Sequence, residues 1–148
     1  MNYKYYITKG RDSFIVCLCS NWCFKFPTTN KEIIIQKKAS ELGIAPPVYF
    51  SSNKFCIMKR IIGKTLNDCN QIELDHITPD LKNIIKKLDN NNIFHNDLHL
   101  KNIILDKNYK IWVIDYGDAI ITNKKDIYNI SKYQICHSAQ CYGKNIKL

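Results

Sequence analysis

Two stretches of this 148-residue chain are the most informative about its fold: IFHNDLHLKNIIL at residues 93–105 and VIDYG at residues 113–117. The first stretch carries Asp97 and, five residues later, Asn102, whereas the second carries Asp115 after an apolar run. The apolar end of the first stretch and the apolar start of the second flank a short polar segment, which predicts a β-hairpin. We expect this hairpin to bring the side chains of Asp97, Asn102 and Asp115 to one cleft.

These three oxygen-bearing side chains match the two roles that phosphoryl transfer requires, metal binding and acceptance of a proton. Asn102 and Asp115 suit a hard cation such as Mg²⁺, which takes a few protein oxygens together with phosphate and water. Asp97 is then available to orient a hydroxyl group and accept its proton. Gly117 allows the chain to turn sharply just after the second carboxylate.

The order His-x-Asp-Leu-x-x-x-Asn, followed by Asp-Tyr-Gly, resembles the catalytic loop and metal-binding turn of the protein-kinase-like superfamily. Both motifs have the expected internal spacing and order, with a predicted strand between them. The resemblance implies a reduced two-lobed α+β fold, with an N-terminal antiparallel sheet plus one helix and a mostly helical C-terminal lobe. It implies ATP and Mg²⁺ as cofactors, with Asp97 and Asn102 catalytic and with Asn102 and Asp115 holding the metal.

The same resemblance assigns supporting roles near the catalytic loop. His95 would be a structural histidine that braces the loop and not a proton shuttle. Asp126 would either anchor the backbone of the loop or stabilise the start of a helix through the helix dipole. The run of residues 125–128, Lys-Asp-Ile-Tyr, resembles the small KEOPS-complex kinases.

The N-terminal part of the sequence predicts strands and one helix. The predicted strands are 5–8, 14–18, 22–26, 48–50 and 55–58. Residues 31–42 predict a helix, with N-capping residues just before it and Gly43 at its end. We expect one kinase-like domain over 1–148, with an N-lobe over about 1–58, a hinge over about 58–63 and a C-lobe over about 64–148.

Lys25 is a lone charge in an apolar strand, so its burial requires a partner. By resemblance it is the lysine that grips the ATP phosphates, with Glu32 as its natural partner and Glu41 as the second candidate. Two other interpretations stay open. Glu32 forms a capping box with Thr29, and Lys25 is an edge-strand lysine.

The sequence matches the kinase pattern less completely at the other positions expected to contact the nucleotide. Where many kinases have three glycines above the phosphates, this sequence has only Gly10, so Gly10 and Ser13 are the candidates for that loop. Met58 lies in the predicted hinge, which would line the adenine pocket. The Gly-Lys-Thr-Leu segment at residues 63–66 resembles the one that follows the hinge.

Further expectations concern the C-terminal part. Residues 79–91 predict an amphipathic helix with Pro79 in its first turn, and we expect a partner or a second copy to cover that helix. A second helix is predicted over 124–133, and the tail from His137 is expected to be loosely held.

Three departures guide the choice among kinases. Asn96 replaces the arginine of regulated protein kinases, His99 replaces the catalytic-loop lysine, and only 31 residues follow Gly117, with no Ala-Pro-Glu. The short length favours an atypical Ser/Thr protein kinase of KEOPS or RIO type, or a kinase or ATPase within a complex. Asn96 and His99 favour the alternative of a choline-type or aminoglycoside-type small-molecule kinase. A nucleotide-binding pseudokinase is the third possibility.

Composition bears on partners and location. The net charge of +9 favours anionic partners, including nucleic acid on the lysines at 82, 86, 87, 124 and 125, although solvated helix faces explain these equally well. A protein substrate or partner is expected. Residues 1–6 do not resemble a signal peptide, and no stretch is long enough for a membrane helix.

The seven cysteines are consistent with an intracellular protein, cytoplasmic or nuclear. We expect them to be mostly free, with Cys17 and Cys19 on one buried face of a strand. The bias towards Asn, Ile and Lys fits an AT-rich genome, such as that of a parasite or of a large DNA virus whose proteins occupy the host cytoplasm.

Overall fold

The structure is a computed structural model that describes residues 6–9, 13–18, 21–123 and 126–148. The chain divides into two compact units, Met1–Ile61 and Ile62–Leu148, which we call the N-terminal unit and the C-terminal unit. The first is sheet-rich and the second carries two long helices, as the kinase-like interpretation predicts.

The N-terminal unit is a five-stranded antiparallel sheet with one helix. Its elements are β1 (Tyr6–Lys9), β2 (Phe14–Leu18), β3 (Trp22–Phe26), α1 (Asn30–Glu41), β4 (Val48–Ser51) and β5 (Cys56–Lys59). The strand order is β1-β2-β3-β5-β4. Alternate residues of β3 and β5 are buried with Ile33 of α1, which makes the inner face of the sheet the core of this unit.

Helix α1 begins and ends at the expected signals. The Thr29 hydroxyl accepts a hydrogen bond from the backbone N–H of Glu32 at 3.1 Å. Gly43, just beyond the helix, has φ = +76°, a conformation that glycine adopts without the steric cost of a Cβ atom.

The cysteines depart from expectation at one pair. Cys17 and Cys23 lie directly opposite each other on β2 and β3, and their sulfurs form a disulfide bond. The register of the hairpin brings the two side chains together, which spacing along the chain did not predict. Among the described cysteines, Cys56, Cys69, Cys136 and Cys141 are free thiols, whereas Cys19 lies outside the described residues.

The C-terminal unit combines short strands with two long helices. Its elements are β6 (Gly63–Thr65), α2 (Gln71–Asn90), β7 (Ile93–Phe94), β8 (Ile103–Asp106), β9 (Ile111–Val113), β10 (Ile120–Ile121) and α3 (Ile127–Cys141). Strands β6, β8 and β9 form one antiparallel sheet, and β7 pairs with β10. The predicted hairpin is therefore present, as β8 and β9.

Gly63 is required by the pairing of β6 with β8. A Cβ atom at this position would collide with the backbone carbonyl oxygen of Leu105. The segment that follows the predicted hinge thus lies against the β8–β9 hairpin of its own unit.

The predicted start of α2 at Pro79 is wrong, because the helix begins at Gln71 and Pro79 lies in its interior. Asn70 and Glu73 form a capping box, in which each side chain accepts a hydrogen bond from the other residue's backbone N–H. The apolar stripe also continues upstream through Leu74 and Ile77, both buried. Capping and burial together outweigh the backbone hydrogen bond that proline cannot donate.

Helix α2, over which a partner or a second copy is expected, already packs within its own unit. Its buried face packs against α3, β7 and β9 within the same unit. The unit therefore completes its own core around this helix.

The C-terminal tail is held more firmly than expected. Helix α3 continues to Cys141, and Lys144 Nζ donates a hydrogen bond to the Cys69 carbonyl oxygen at 2.6 Å. Asn145 exchanges two hydrogen bonds with the Gln71 side chain, and Ile146 is buried. These contacts join residues more than 70 positions apart, so local sequence could not reveal them.

None of the helices in the described part of the chain combines the length and apolar character needed to cross a lipid bilayer.

Candidate active site

The predicted catalytic loop connects β7 to β8 and is organised by Asn102. The side-chain amide of Asn102 donates hydrogen bonds to both the backbone oxygen and the carboxylate oxygen Oδ2 of Asp97, each at 3.0 Å. Asn102 is buried, whereas about half of the Asp97 side chain is exposed. One asparagine therefore fixes both the loop and its carboxylate, and leaves that carboxylate accessible.

Asp115 is placed next to Asn102 by the hairpin. The backbone N–H of Ile114 donates to the carbonyl oxygen of Asn102 at 2.9 Å, which joins the loop to the end of β9. Asp115 is exposed and has φ = +63°, a left-handed conformation that is costly for a residue with a side chain. The left-handed residue is therefore Asp115, and the predicted turn at Gly117 follows it, closed by a hydrogen bond from the Ala119 N–H to the Tyr116 carbonyl oxygen at 3.1 Å. Such strain is often concentrated at functional sites.

His95 braces the loop from inside the core. The side chain is completely buried, and its Nε2 lies 3.0 Å from the carbonyl oxygen of Ile114. Its ring makes an edge contact with the buried ring of Tyr116, with centroids 4.8 Å apart. Burial lowers the pKa of His95, so the neutral ring donates from Nε2 and serves as a structural support.

This burial predicts a specific pH dependence of stability. Because the folded-state pKa of His95 is lowered, the unfolded chain binds a proton that the folded chain does not as the pH falls through about 6.5. The contribution of His95 to the free energy of unfolding is therefore complete above that pH. On acidification it falls by at most about 1.4 kcal/mol per pH unit, until the pH reaches the lowered pKa of the folded state.

Urea unfolding at a series of pH values from about 7.5 to 5 measures this effect. His95→Gln keeps a donor at the place of Nε2 but cannot titrate, so its pH slope should be shallower by about one proton. Equal slopes for the two proteins would contradict the assignment.

Helix α3 anchors the loop backbone through two residues that the sequence analysis missed. Gln134 accepts a hydrogen bond from the N–H of Leu98 at 3.4 Å and donates one to the carbonyl oxygen of Asn96 at 3.0 Å. Ser138, one helical turn later, accepts from the N–H of Leu100 at 3.2 Å. The spacing of two polar residues at i and i+4 on α3 is the signal that could have identified them.

The two interpretations of Asp126 can be compared with this geometry. Asp126 is exposed, precedes α3 with φ = +81°, and accepts a hydrogen bond from Asn129 of the same helix at 2.8 Å. Within the described residues, the hydrogen bonds from α3 to the loop come from Gln134 and Ser138, not from Asp126.

In the N-terminal unit, Lys25 and Glu32 form a buried ion pair. Lys25 Nζ lies 2.5 Å from Glu32 Oε1, and only 3% and 4% of these residues are exposed. The predicted ion pair is therefore present, whereas the Thr29–Glu32 capping box is half formed, with the Thr29 hydroxyl accepting from the Glu32 N–H. Glu41 is exposed at the end of α1 and is not needed as the partner.

The structure says less about the other residues that are predicted to contact the nucleotide. Ser13 is half-buried just before β2, and Gly10 lies outside the described residues. Met58 is buried on β5, and its sulfur accepts a hydrogen bond from Gln36 at 3.3 Å. The side chain of Met58 therefore belongs to the core of the N-terminal unit.

The sheet-plus-helix unit and the catalytic hairpin define a protein of the kinase-like class, and comparison with known proteins narrows this class. Residues 33–139 match the ABC1 atypical kinase-like domain, so the chain belongs to this family. The fold is similar to that of Rio2 kinase from Chaetomium thermophilum, solved as an ADP/Mg²⁺-phosphoaspartate complex. The TM-score is 0.73 at 14% identity, over 91% of this chain and 55% of that one.

Two curated relatives agree with this assignment. The EKC/KEOPS complex subunit BUD32 of Enterocytozoon bieneusi is 30% identical over an alignment of 122 residues, which covers 71% of this chain and 59% of the relative. A probable bifunctional tRNA threonylcarbamoyladenosine biosynthesis protein of Methanocaldococcus jannaschii is 36% identical over an alignment of 86 residues, which covers 56% of this chain and 16% of the relative. The chain thus spans less than two thirds of either relative. The predicted resemblance to atypical kinases of KEOPS and RIO type is confirmed.

Proposed function

We propose that the chain is an ATP- and Mg²⁺-dependent phosphotransferase, either an atypical Ser/Thr protein kinase or a kinase or ATPase within a protein complex. The observation that carries the proposal is the pair of hydrogen bonds from Asn102 to Asp97. They hold an accessible carboxylate in place beside a second carboxylate, Asp115, on the adjoining turn. This is the arrangement that in-line transfer of a phosphoryl group requires.

The donor atoms around Asn102 and Asp115 fit Mg²⁺. The amide nitrogen of Asn102 is committed to Asp97, so this side chain would offer its carbonyl oxygen to a cation. Asp115 adds a carboxylate, and Mg²⁺ takes few protein oxygens when phosphates and water complete its shell. In this proposal Asn102 and Asp115 hold the ion, which would neutralise charge on the phosphates.

Asp97 is the proposed catalytic carboxylate. Its exposed side chain would orient an acceptor hydroxyl and accept the proton that the hydroxyl loses. His99 Nε2 lies 3.5 Å from Asp97 Oδ2, so the ring faces this carboxylate. His95 takes no part in proton transfer, because it is neutral and completely buried.

The N-terminal unit would bind the nucleotide. Lys25, held by Glu32, is proposed to contact the ATP phosphates. Gly10 and Ser13 are proposed to cover these phosphates, and Met58 marks the strand that would line the adenine site. Apart from Met58, these residues all precede the family match, which begins at residue 33, so their roles rest on the resemblance and on the buried ion pair.

We propose one kinase-like domain over 1–148, with the lobes and hinge predicted from sequence, acting within a protein complex. The KEOPS subunit among its relatives supports this setting. A component of such a complex that consumes ATP would work inside the cell, in the cytoplasm or the nucleus.

Transfer of labelled γ-phosphate from Mg-ATP tests the proposal. The full chain is incubated alone, with a generic protein substrate, and with a panel of amino alcohols and aminoglycosides, while ATP hydrolysis is followed in parallel. We expect the unmodified chain to transfer label to protein or to hydrolyse ATP. Asp115→Asn should need a higher Mg²⁺ concentration to reach the same rate. Asp118→Asn is the matched control, because it removes a nearby exposed carboxylate from the same turn.

The alternatives give different results. Nucleotide binding with neither label nor hydrolysis would identify a pseudokinase and overturn the proposal. Label confined to a small molecule would identify the small-molecule kinase instead.

A further inference from the structure

The outer face of the N-terminal sheet is aromatic. Along β3, Cys23 and Lys25 are buried towards the core, so the alternate residues lie on the opposite face. Side chains that pair directly across an antiparallel sheet share one face, and the register extends the set into β2 and β4. We call the resulting surface the aromatic face; its rings are Phe14, Trp22, Phe24, Phe26, Phe50 and Phe55.

The aromatic face is open to solvent and continuous. The exposed fractions are 46% for Phe14, 37% for Trp22, 43% for Phe26 and 55% for Phe50. The Phe55 ring lies between two others, with its centroid 5.0 Å from that of Phe24 and 5.8 Å from that of Phe50. Contiguous exposed apolar patches of this kind usually mark a binding surface.

The charge of the N-terminal unit indicates the sign of the partner. Its 61 residues contain ten Lys and Arg against three Asp and Glu, so this unit carries +7 of the net +9. One of the three acids, Glu32, is buried against Lys25. Lys59 pairs with Trp22 across β3 and β5 and therefore shares the aromatic face, and exposed Lys54 precedes Phe55. An anionic partner is favoured, whereas a second copy would be repelled.

We propose that the aromatic face binds single-stranded nucleic acid. Bases would stack on the exposed rings, and Lys54 and Lys59 would contact phosphates. Nucleic acid matches this surface better than an acidic polypeptide, because every nucleotide brings one planar ring and one negative charge together. The surface differs from the lysine-rich helix faces considered from the sequence, and it does not depend on the proposed phosphotransferase activity.

Fluorescence anisotropy with a labelled, mixed-sequence RNA of about 15 nucleotides tests the proposal, with the DNA strand of the same sequence in parallel. Phe26→Ala and Phe50→Ala remove exposed rings, and each should weaken binding at least about fivefold. Tyr133→Ala is the matched control, because Tyr133 is a 65% exposed aromatic residue on α3 of the C-terminal unit. Thermal unfolding of each variant verifies that the fold is retained.

Salt dependence supplies a second readout. Binding should weaken steeply between about 50 and 200 mM salt, and Lys59→Gln should make that dependence shallower. A duplex of the same sequence should bind more weakly, because its bases are not available for stacking.

Equal loss in Tyr133→Ala, equal binding of the duplex, or no loss in the phenylalanine variants would overturn the proposal. Binding of polyglutamate that depends on Phe26 and Phe50, with no binding of either oligonucleotide, would identify a protein-docking surface instead.

Discussion

Replacing Glu32 with alanine will lower the free energy of unfolding by about 3–5 kcal/mol. The expectation follows from the 2.5 Å contact between Lys25 Nζ and Glu32 Oε1 and from the almost complete burial of both side chains. Without the Glu32 carboxylate, a desolvated ammonium group loses the counter-charge that lies 2.5 Å from it, and its buried surroundings cannot supply water in place of that contact. Denaturant unfolding measures the change, and the dependence of the unfolding free energy on denaturant concentration is compared between the variants.

Two further variants isolate the ion pair. Glu41→Ala removes an exposed glutamate from the end of the same helix and should change stability by less than about 0.5 kcal/mol. Replacing the pair together, by Lys25→Met with Glu32→Leu, should recover most of the loss, because apolar residues of similar volume need no counter-charge. A loss below about 1 kcal/mol in Glu32→Ala would show that the pair contributes little to the core.

The second large effect concerns catalysis. Under the proposed phosphotransferase function, Asp97→Asn will lower the rate of phosphoryl transfer or ATP hydrolysis by about 10²–10⁴-fold. The asparagine can still accept the hydrogen bond from Asn102, so the geometry of the loop is preserved, but it cannot take the proton of the acceptor. Nucleotide affinity and thermal stability should therefore remain close to those of the unmodified chain.

A matched control is Asp80→Asn, which neutralises an exposed carboxylate on α2. This variant should retain full activity. If Asp97→Asn kept more than about a tenth of the rate, another group would have to accept the proton, and the assignment of Asp97 would be wrong.

Local patterns predicted much of the fold. Strands β2 and β3 and the β8–β9 hairpin follow from short β-branched and aromatic runs separated by polar turns. Helix α1 follows from Thr29 and Gly43, which act on the backbone groups at its two ends. The ion pair of Lys25 with Glu32 was predictable because a buried charge needs a counter-charge, whatever the details of the fold.

Other features arise only from residues that are distant in sequence. The start of α2 was misplaced because Pro79 dominates the local pattern, whereas burial of Leu74 and Ile77 decides the observed helix. The disulfide between Cys17 and Cys23 depends on hairpin register, and the ordered tail depends on contacts between Lys144 and Cys69 and between Asn145 and Gln71.

The class of protein and the residue types of its candidate site could be read from the amino-acid sequence, because the carboxylates, the amide and their spacing are covalent properties of the chain. The contacts that support the site arise only in the folded chain. Gln134 and Ser138 reach the catalytic loop from a helix more than 30 residues away. The aromatic face exists because the sheet turns alternate side chains to solvent. Hydrogen bonds and burial of this kind depend on which surfaces pack together in the folded chain, and no local sequence pattern determines that packing.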